Sequence, residues 1–375
     1  MTTTHPTDRT SPFPGAARAA SYIEDDIDTA AVAAPSGPAA PAPEPESDPV
    51  DLTLSEPVEV EVEGPEVDLG TLAVTNESRF AQTGLRGALG RVGIKLAPSA
   101  AEVTAIAEAE QIRRNEDTVR QASWGRAVSI LVANPKGGVG KTPVSLLLGG
   151  TLAAIRGGSV AVVEVSDDPG ALTFRSEGAP SRGLGDLVRD ADEIRSAGQL
   201  AGYTALQSSF AAVIGSTGPR PRLDGDHVTA VARVIDEYFA IRVMDSGNQP
   251  SSTAFQAAVE AADVLVVPIL NAGDAALEAV AMLDGLRAAG DHAAGLANNA
   301  IVIRLHDGRP ENPQVVARID RILATNQLDH VHIVPYDAHI AERGQITLSK
   351  LAPATRHAIA AAASDVVTTL QNLAH

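Results

Sequence analysis

Seven consecutive residues, Lys136-Gly137-Gly138-Val139-Gly140-Lys141-Thr142, constrain this chain more than any other stretch. An apolar run from Ala127 to Ala133 precedes them and reads as a buried strand. A helical pattern follows from Thr142 to Ile155. Strand, glycine-rich loop, then Lys-Thr opening a helix is the context in which backbone N–H groups close around a phosphate chain. The helix N-terminus adds unpaired donors and the positive end of a dipole. In that arrangement Lys141 reaches the β- and γ-phosphates and the Thr142 hydroxyl ligates Mg²⁺. The expected cofactors are therefore ATP and Mg²⁺. A chance glycine-rich turn is the plainer alternative, disfavoured by seven matched residues in the right context. A dinucleotide fingerprint fails, because Gly138-x-Gly140 would need a small third residue at position 143, which is Pro143.

The rest of the chain supplies a core for such a site. At 375 residues there is room for one large or two ordinary domains. The absence of cysteine excludes disulfides and thiolate metal sites and suits a reducing, cytoplasmic setting. No apolar run reaches membrane-spanning length, and the N-terminus shows no signal pattern. The net charge of −18 is concentrated at the N-terminus, where residues 1–78 hold sixteen Asp/Glu and two Arg, about −14 of the total. That stretch is rich in Pro and Ala and cannot bury enough apolar surface to offset ordering entropy, so it is expected to be a disordered acidic tail. Within it, Val58 to Val62 alternates Val and Glu, which fits either an exposed charged segment or a strand.

Residues 79–126 read as a basic linker and helix, with eight Lys/Arg against five Asp/Glu. Ser99 and Glu102 form a Ser-x-x-Glu start signal, and Val103, Ile106 and Ile112 recur near helical spacing. This helix either packs on the core with a solvated outer face or contacts nucleic acid or a partner. From 127 to 375, strands are expected at about 127–133, 159–165, 210–215, 241–245, 263–269, 299–304 and 331–335, with helices between most of them. Such alternation implies an α/β fold, a mostly parallel sheet with helices on both faces, and ligands at the carboxyl ends of the strands. A closing helix from about Pro353 to Leu373 carries an apolar stripe of Ile359, Val366, Leu370 and Leu373. It holds one Arg, Arg356, and so lacks the cationic face of a membrane-surface helix.

The phosphate loop departs from the ordinary Gly-x4-Gly-Lys-Ser/Thr pattern. Its first glycine would fall on Pro135, and an extra lysine, Lys136, precedes the paired glycines. It resembles the deviant Walker A motif of the ParA/MinD ATPases, a SIMIBI-class group, over about residues 127–350. The resemblance implies that Lys136 crosses a dimer interface to the partner's nucleotide; the alternative is an exposed lysine near its own phosphates. It also implies that Asp245, closing the strand segment Arg242-Val243-Met244, is the Walker B carboxylate that holds a Mg²⁺-bound water. The alternative there is a helix cap before Ser251–Ala262. The family's Asp-x-Asp-Pro segment is altered to Glu164-Val165-Ser166-Asp167-Asp168-Pro169. Without a gap Ser166 takes the water-positioning place; with a one-residue insertion Asp168 does. Pro143 replaces a usual threonine. Val334-Pro335-Tyr336-Asp337 resembles the segment beside the adenine, which puts Pro335 and Asp337 at the base, and Arg304-Leu305-His306-Asp307 stands where some relatives carry a base-contacting Asn.

The site residues expected on these grounds are Lys136, Lys141 and Asp168 for catalysis, Lys136 to Thr142 with Pro335 and Asp337 for nucleotide, and Thr142 and Asp245 for the metal. The expected function is slow, partner-stimulated ATP hydrolysis by an ATP-dependent homodimer in plasmid or chromosome partition. Non-specific DNA, a centromere-binding or other adaptor protein, and a nucleoid-associated cytoplasmic location go with it. Two alternatives remain. One is a MinD-like regulatory ATPase linked to type VII secretion; the other is a nucleotide sensor with little hydrolysis. A DNA patch would have to be local, with Arg287, Arg318, Arg321, Arg343, Lys350 and Arg356 as candidates.

Overall fold

Mostly apolar runs such as Val128-Ser129-Ile130-Leu131-Val132 suit strands covered on both faces, and β1 (Val128–Val132) is buried along its whole length. In a computed structural model of the chain, residues 99–373 are described. The acidic tail 1–78, with its Val58–Val62 alternation, and the basic stretch 79–97 lie outside the described residues. Seven further strands follow β1: β2 (Val160–Glu164), β3 (Ala205–Leu206), β4 (Ala212–Ile214), β5 (Ile241–Asp245), β6 (Val264–Leu270), β7 (Ile301–Leu305) and β8 (Val331–Val334). They form one sheet in the order β3-β4-β2-β5-β1-β6-β7-β8. Every pairing is parallel except β3–β4. The seven expected strands are all present, within two residues at their ends. The unexpected β3 is a two-residue antiparallel edge, too short to leave a periodic signal.

Helices of eight residues or more are α1 (Ala100–Gln121), α2 (Lys141–Arg156), α3 (Gly225–Tyr238), α4 (Thr253–Glu260), α5 (Gly273–Ala289), α6 (Asp291–Asn298), α7 (Pro313–Thr325) and α8 (Pro353–Leu373). Four start on a side-chain cap. Ser99, Asp224, Ser252 and Asn312 accept from the backbone N–H groups of Glu102, His227, Phe255 and Gln314. The alternation of side chains along each strand divides the core. Ile130, Val132, Val162 and Val243 face α2 and α8, whereas Leu131, Val163, Met244 and Leu265 face α3 to α7.

α1 is anchored at its C-terminal end, where Val119 is buried and Arg156 of α2 donates to the Val119 and Ala122 carbonyls, both at 2.8 Å. The same guanidinium lies over the Trp124 ring. Val103, expected in the apolar stripe of α1, is exposed. In α8 the stripe of Ile359, Val366 and Leu370 is buried against the sheet. Among the described residues no helix is long and apolar enough to cross a membrane.

Candidate nucleotide-binding site

The chain leaves β1, turns at Asn134-Pro135, and enters α2 at Lys141. Asn134 is fully buried. Its Oδ1 accepts from the Lys136 N–H at 2.9 Å, and its Nδ2 donates to the Pro268 carbonyl at 2.8 Å, so the start of the loop is tied to β6. Gly138 and Gly140 have φ of +79° and +97°, in the left-handed region that favours glycine. A Cβ on Gly140 would overlap Leu305 Cδ1, so β7 closes directly over the loop. Pro143 stands in the first turn of α2, where no intrahelical N–H bond is lost.

Lys141 is buried. Its ammonium donates to the Asn134 carbonyl at 2.8 Å, to the Lys136 carbonyl at 3.1 Å and to Asn248 Oδ1. Burial pulls it down to about 8, partly offset by the negative charges of Asp245 and Glu278. The Thr142 hydroxyl donates to Asp245 Oδ2 at 2.7 Å and Ser145 Oγ to Asp245 Oδ1 at 3.2 Å. Asp245 ends β5, beside β1, and is pushed up to about 7, first by burial and further by the nearby Glu164.

Lys141, Thr142, Asp168, Asp245, Pro335 and Asp337 line one cavity of about 700 Å³ at the carboxyl ends of the strands. Ser166 lines it too, but its hydroxyl donates to the Asp168 carbonyl at 2.7 Å. The exposed Asp168 carboxylate lies 3.1 Å from Arg222. Asp337 is buried and turned into its own turn, accepting from the His339 and Ala352 N–H groups, each at 2.9 Å. Arg304 points away from the cavity toward Asp320, leaving Leu305, His306 and Asp307 on the wall. Lys136 is held within its own chain, 2.9 Å from Asp274 and 3.4 Å from Glu278 at the start of α5; these hydrogen bonds raise its pKa. Three residues with structural parts here escaped the sequence reading: Asn134, Asn248 and Arg220. Only Asn134 gave a signal, as the first residue of a turn-forming Asn-Pro pair.

Among the described residues no group of three or more His, Asp or Glu side chains could hold a metal ion. Thr142 and Asp245 still present two hard oxygen donors side by side. That suits Mg²⁺, which takes few protein ligands and completes its shell with waters and phosphate oxygens.

The sheet order turns about β1, and the glycine loop leaves it at that switch point with a buried lysine at its end. This places the molecule in the P-loop class of nucleotide-binding folds. A family model for the CobQ/CobB/MinD/ParA nucleotide binding domain matches residues 130–347, more than half of the chain, and the chain belongs to that family. Among solved structures, the chain is similar to the ATP complex of a McdA variant from Cyanothece, with 17% identity, 65% of this chain and 97% of the other covered, and a TM-score of 0.46. It is also similar to a ParA family ATPase from Chlorobium tepidum TLS, with 13% identity, 66% and 98% coverage and a TM-score of 0.48. A third is the MinC:MinD cell division protein complex of Aquifex aeolicus, with 19% identity, 63% and 94% coverage and a TM-score of 0.47. No curated protein matches.

Proposed function

We propose that this chain binds ATP with Mg²⁺ and hydrolyses it slowly, as the nucleotide-dependent switch of a homodimer. The observation that carries this reading is the buried Lys141 beside the half-buried Thr142 at the start of α2, with Thr142 2.7 Å from Asp245. The loop N–H groups and Lys141 bind the phosphates. Thr142 and Asp245 would hold Mg²⁺, which would draw charge from the β- and γ-phosphates. The slow rate follows from the altered loop: the Ser166 hydroxyl is engaged with the Asp168 carbonyl, and Asp168 is paired with Arg222. Asp168 is the residue assigned to water positioning, once a partner or second copy has drawn it from Arg222. Lys136 is assigned to the partner's nucleotide. Its ion pairs with Asp274 and Glu278 are exposed and easily exchanged for phosphate.

Lys141→Ala should abolish ATP binding in calorimetry; unchanged affinity would sink the assignment. Lys136→Ala should bind ATP yet stay monomeric in light scattering. A wild-type protein that stays monomeric with ATP would refute the nucleotide-bridged dimer.

For the cellular role we infer ParA-like partition with non-specific DNA binding and an adaptor protein that triggers hydrolysis. One observation favours the second reading, a MinD-like regulatory ATPase that acts through protein partners. Arg287, Arg318 and Arg321 belong to α5 and α7 on one face of the sheet, whereas Lys350 and Arg356 accompany α8 on the other. The candidate cations therefore do not form a single patch. DNA binding that appears with ATP, vanishes with ADP and weakens steeply with salt would establish partition. Removal of the acidic residues 1–78 should then strengthen it. Failure of both full-length and truncated protein to bind DNA at low salt would leave the protein-partner role.

A further inference from the structure

The loop that carries Asp167 and Asp168 is fastened by a residue outside every motif. Arg220 lies in Gly218-Pro219-Arg220-Pro221-Arg222, after β4. Two prolines flank it, each with a fixed φ and no N–H, so the segment is stiff. Its guanidinium is buried, with only 3% of the side chain exposed, and it forms an ion pair at 2.8 Å with Glu164, of which 1% is exposed. A buried arginine needs partners for its donors, and here they are nearly all in one place. Nη1 donates to the Asp167 carbonyl at 2.7 Å. Nη2 donates to the Ser166 carbonyl at 2.8 Å and the Asp168 carbonyl at 3.1 Å. Nε donates to Ser216 Oγ at 2.8 Å.

Glu164 completes the clasp from the end of β2. Its Oε1 accepts from Arg220, from Ser216 Oγ at 2.6 Å and from the Gly170 N–H at 3.0 Å. The Leu223 N–H adds a bond to the Asp167 carbonyl at 2.9 Å. Three successive carbonyls and the N–H of Gly170 are thus held by one buried pair. The clasped loop leans on Gly247, where a Cβ would stand 3.2 Å from Asp167 Oδ1, so its position is set against the segment that follows Asp245. Gly185 leaves room for the arginine stem, since a Cβ there would come within 2.9 Å of Arg220 Cβ.

We propose that Arg220 is the positioning residue for ATP hydrolysis in this chain, acting through the backbone of Ser166–Gly170 to fix where the Asp167 and Asp168 carboxylates stand. The proposal rests on the ATPase reading above. The step served is attack of water on the γ-phosphorus with cleavage of the bond to the β–γ bridging oxygen. It gives ADP and inorganic phosphate, with the water's proton passing to solvent or phosphate. A carboxylate misplaced by an ångström loses rate while the phosphates stay bound, because the glycine loop and Lys141 are held separately, between β1 and α2. The clasp also accounts for Glu at 164: its longer side chain reaches from the strand end to Arg220 and Gly170 together.

The test compares wild type, Arg220→Ala and Arg220→Lys. It reads affinity for a non-hydrolysable ATP analogue, single-turnover rate, and hydrogen exchange of the Gly170 amide in the free protein. Arg220→Ala should lower the rate at least tenfold, leave analogue affinity within threefold, and speed Gly170 exchange at least tenfold. Lysine keeps the charge on Glu164 but cannot reach three carbonyls at once, so Arg220→Lys should fall between. A rate within twofold of wild type, or equal losses of rate and affinity, overturns the proposal. If Arg220→Ala does not fold, Arg220→Lys decides: at least a fivefold loss of rate with affinity kept supports it, and an unchanged rate overturns it. A wild-type protein that binds no analogue or turns over no ATP sinks the ATPase reading instead. Gly170 exchange then judges the clasp alone, supported if faster in Arg220→Lys and overturned if unchanged.

Discussion

Replacing Gly140 by alanine tests the contact between the phosphate loop and β7. Two independent penalties follow from the structure. A φ of +97° puts the new side chain in a region L-residues avoid, at roughly 1–2 kcal/mol. The added methyl also overlaps Cδ1 of Leu305, a buried side chain on the cavity wall, at about 1–3 kcal/mol. Gly140→Ala should therefore lose about 2–5 kcal/mol in urea denaturation with an unchanged m-value. The two parts separate in a double-mutant cycle. Leu305 is buried, and Leu305→Ala alone should cost about 2–5 kcal/mol. In the double variant the overlap is gone and the φ penalty remains, so the loss should fall short of the sum by about 1–3 kcal/mol. Additivity within about 0.5 kcal/mol would refute the argument, because it would mean that Leu305 does not close over the loop. Each single variant should also weaken nucleotide binding, since the loop N–H groups move with Gly140.

Asp245→Asn should stay folded, because burial already disfavours the charge at that position, yet lose the Mg²⁺-dependent part of ATP affinity in calorimetry. Full retention of Mg²⁺ dependence would remove Asp245 from the metal site. Asp365 on α8 accepts from His332 at 2.8 Å and lies 3.1 Å from His330. Burial pushes its carboxyl up, but the His332 hydrogen bond and the two histidine charges outweigh this and hold it below its ordinary value. A carboxylate lowered in the folded state stabilises at neutral pH and stops doing so as pH falls through its folded value. Asp365→Asn should thus cost about 1–3 kcal/mol at pH 6, with the two stability curves converging in acid. A difference that stays constant down to acid pH would assign the loss to packing.

Much of this fold is legible because a parallel sheet covered on both faces leaves long apolar runs. Val160–Glu164 is such a run and Ile241–Asp245 is one broken only by Arg242, each closing on a carboxylate that marks the strand end. β3 escaped because it is two residues long with Leu206 exposed. The site divides in the same way. The loop from Lys136 to Thr142 is local, so its geometry follows from its own residues. Arg220 is not legible, because its partners on Glu164 and in the clasped loop lie 52 to 56 residues away along the chain and no periodicity announces them. Asp337 is a subtler case. Its place at the end of β8 was readable, but the direction of its carboxylate was set by Ala352, brought close only by the fold.

The ends of β2 and β5 carry two carboxylates in register, Glu164 and Asp245, and their surroundings assign them different work. Burying two negative charges side by side is unfavourable, and Glu164 does raise Asp245. The chain relieves this at one site only. Glu164 is paired through Oε1 with a dedicated buried arginine, although its buried Oε2 has no hydrogen-bond partner. Asp245 receives hydroxyl hydrogen bonds from Thr142 and Ser145, which carry no charge, and only a partial offset from Lys141. It is therefore the carboxylate whose ionised form gains most from an added positive charge. On the proposed ATP reading, a divalent cation bound with the triphosphate would supply that charge, with Asp245 and Thr142 to hold it and Lys141 to take the phosphate. On that reading nucleotide and cation would be coupled through the single carboxylate of Asp245.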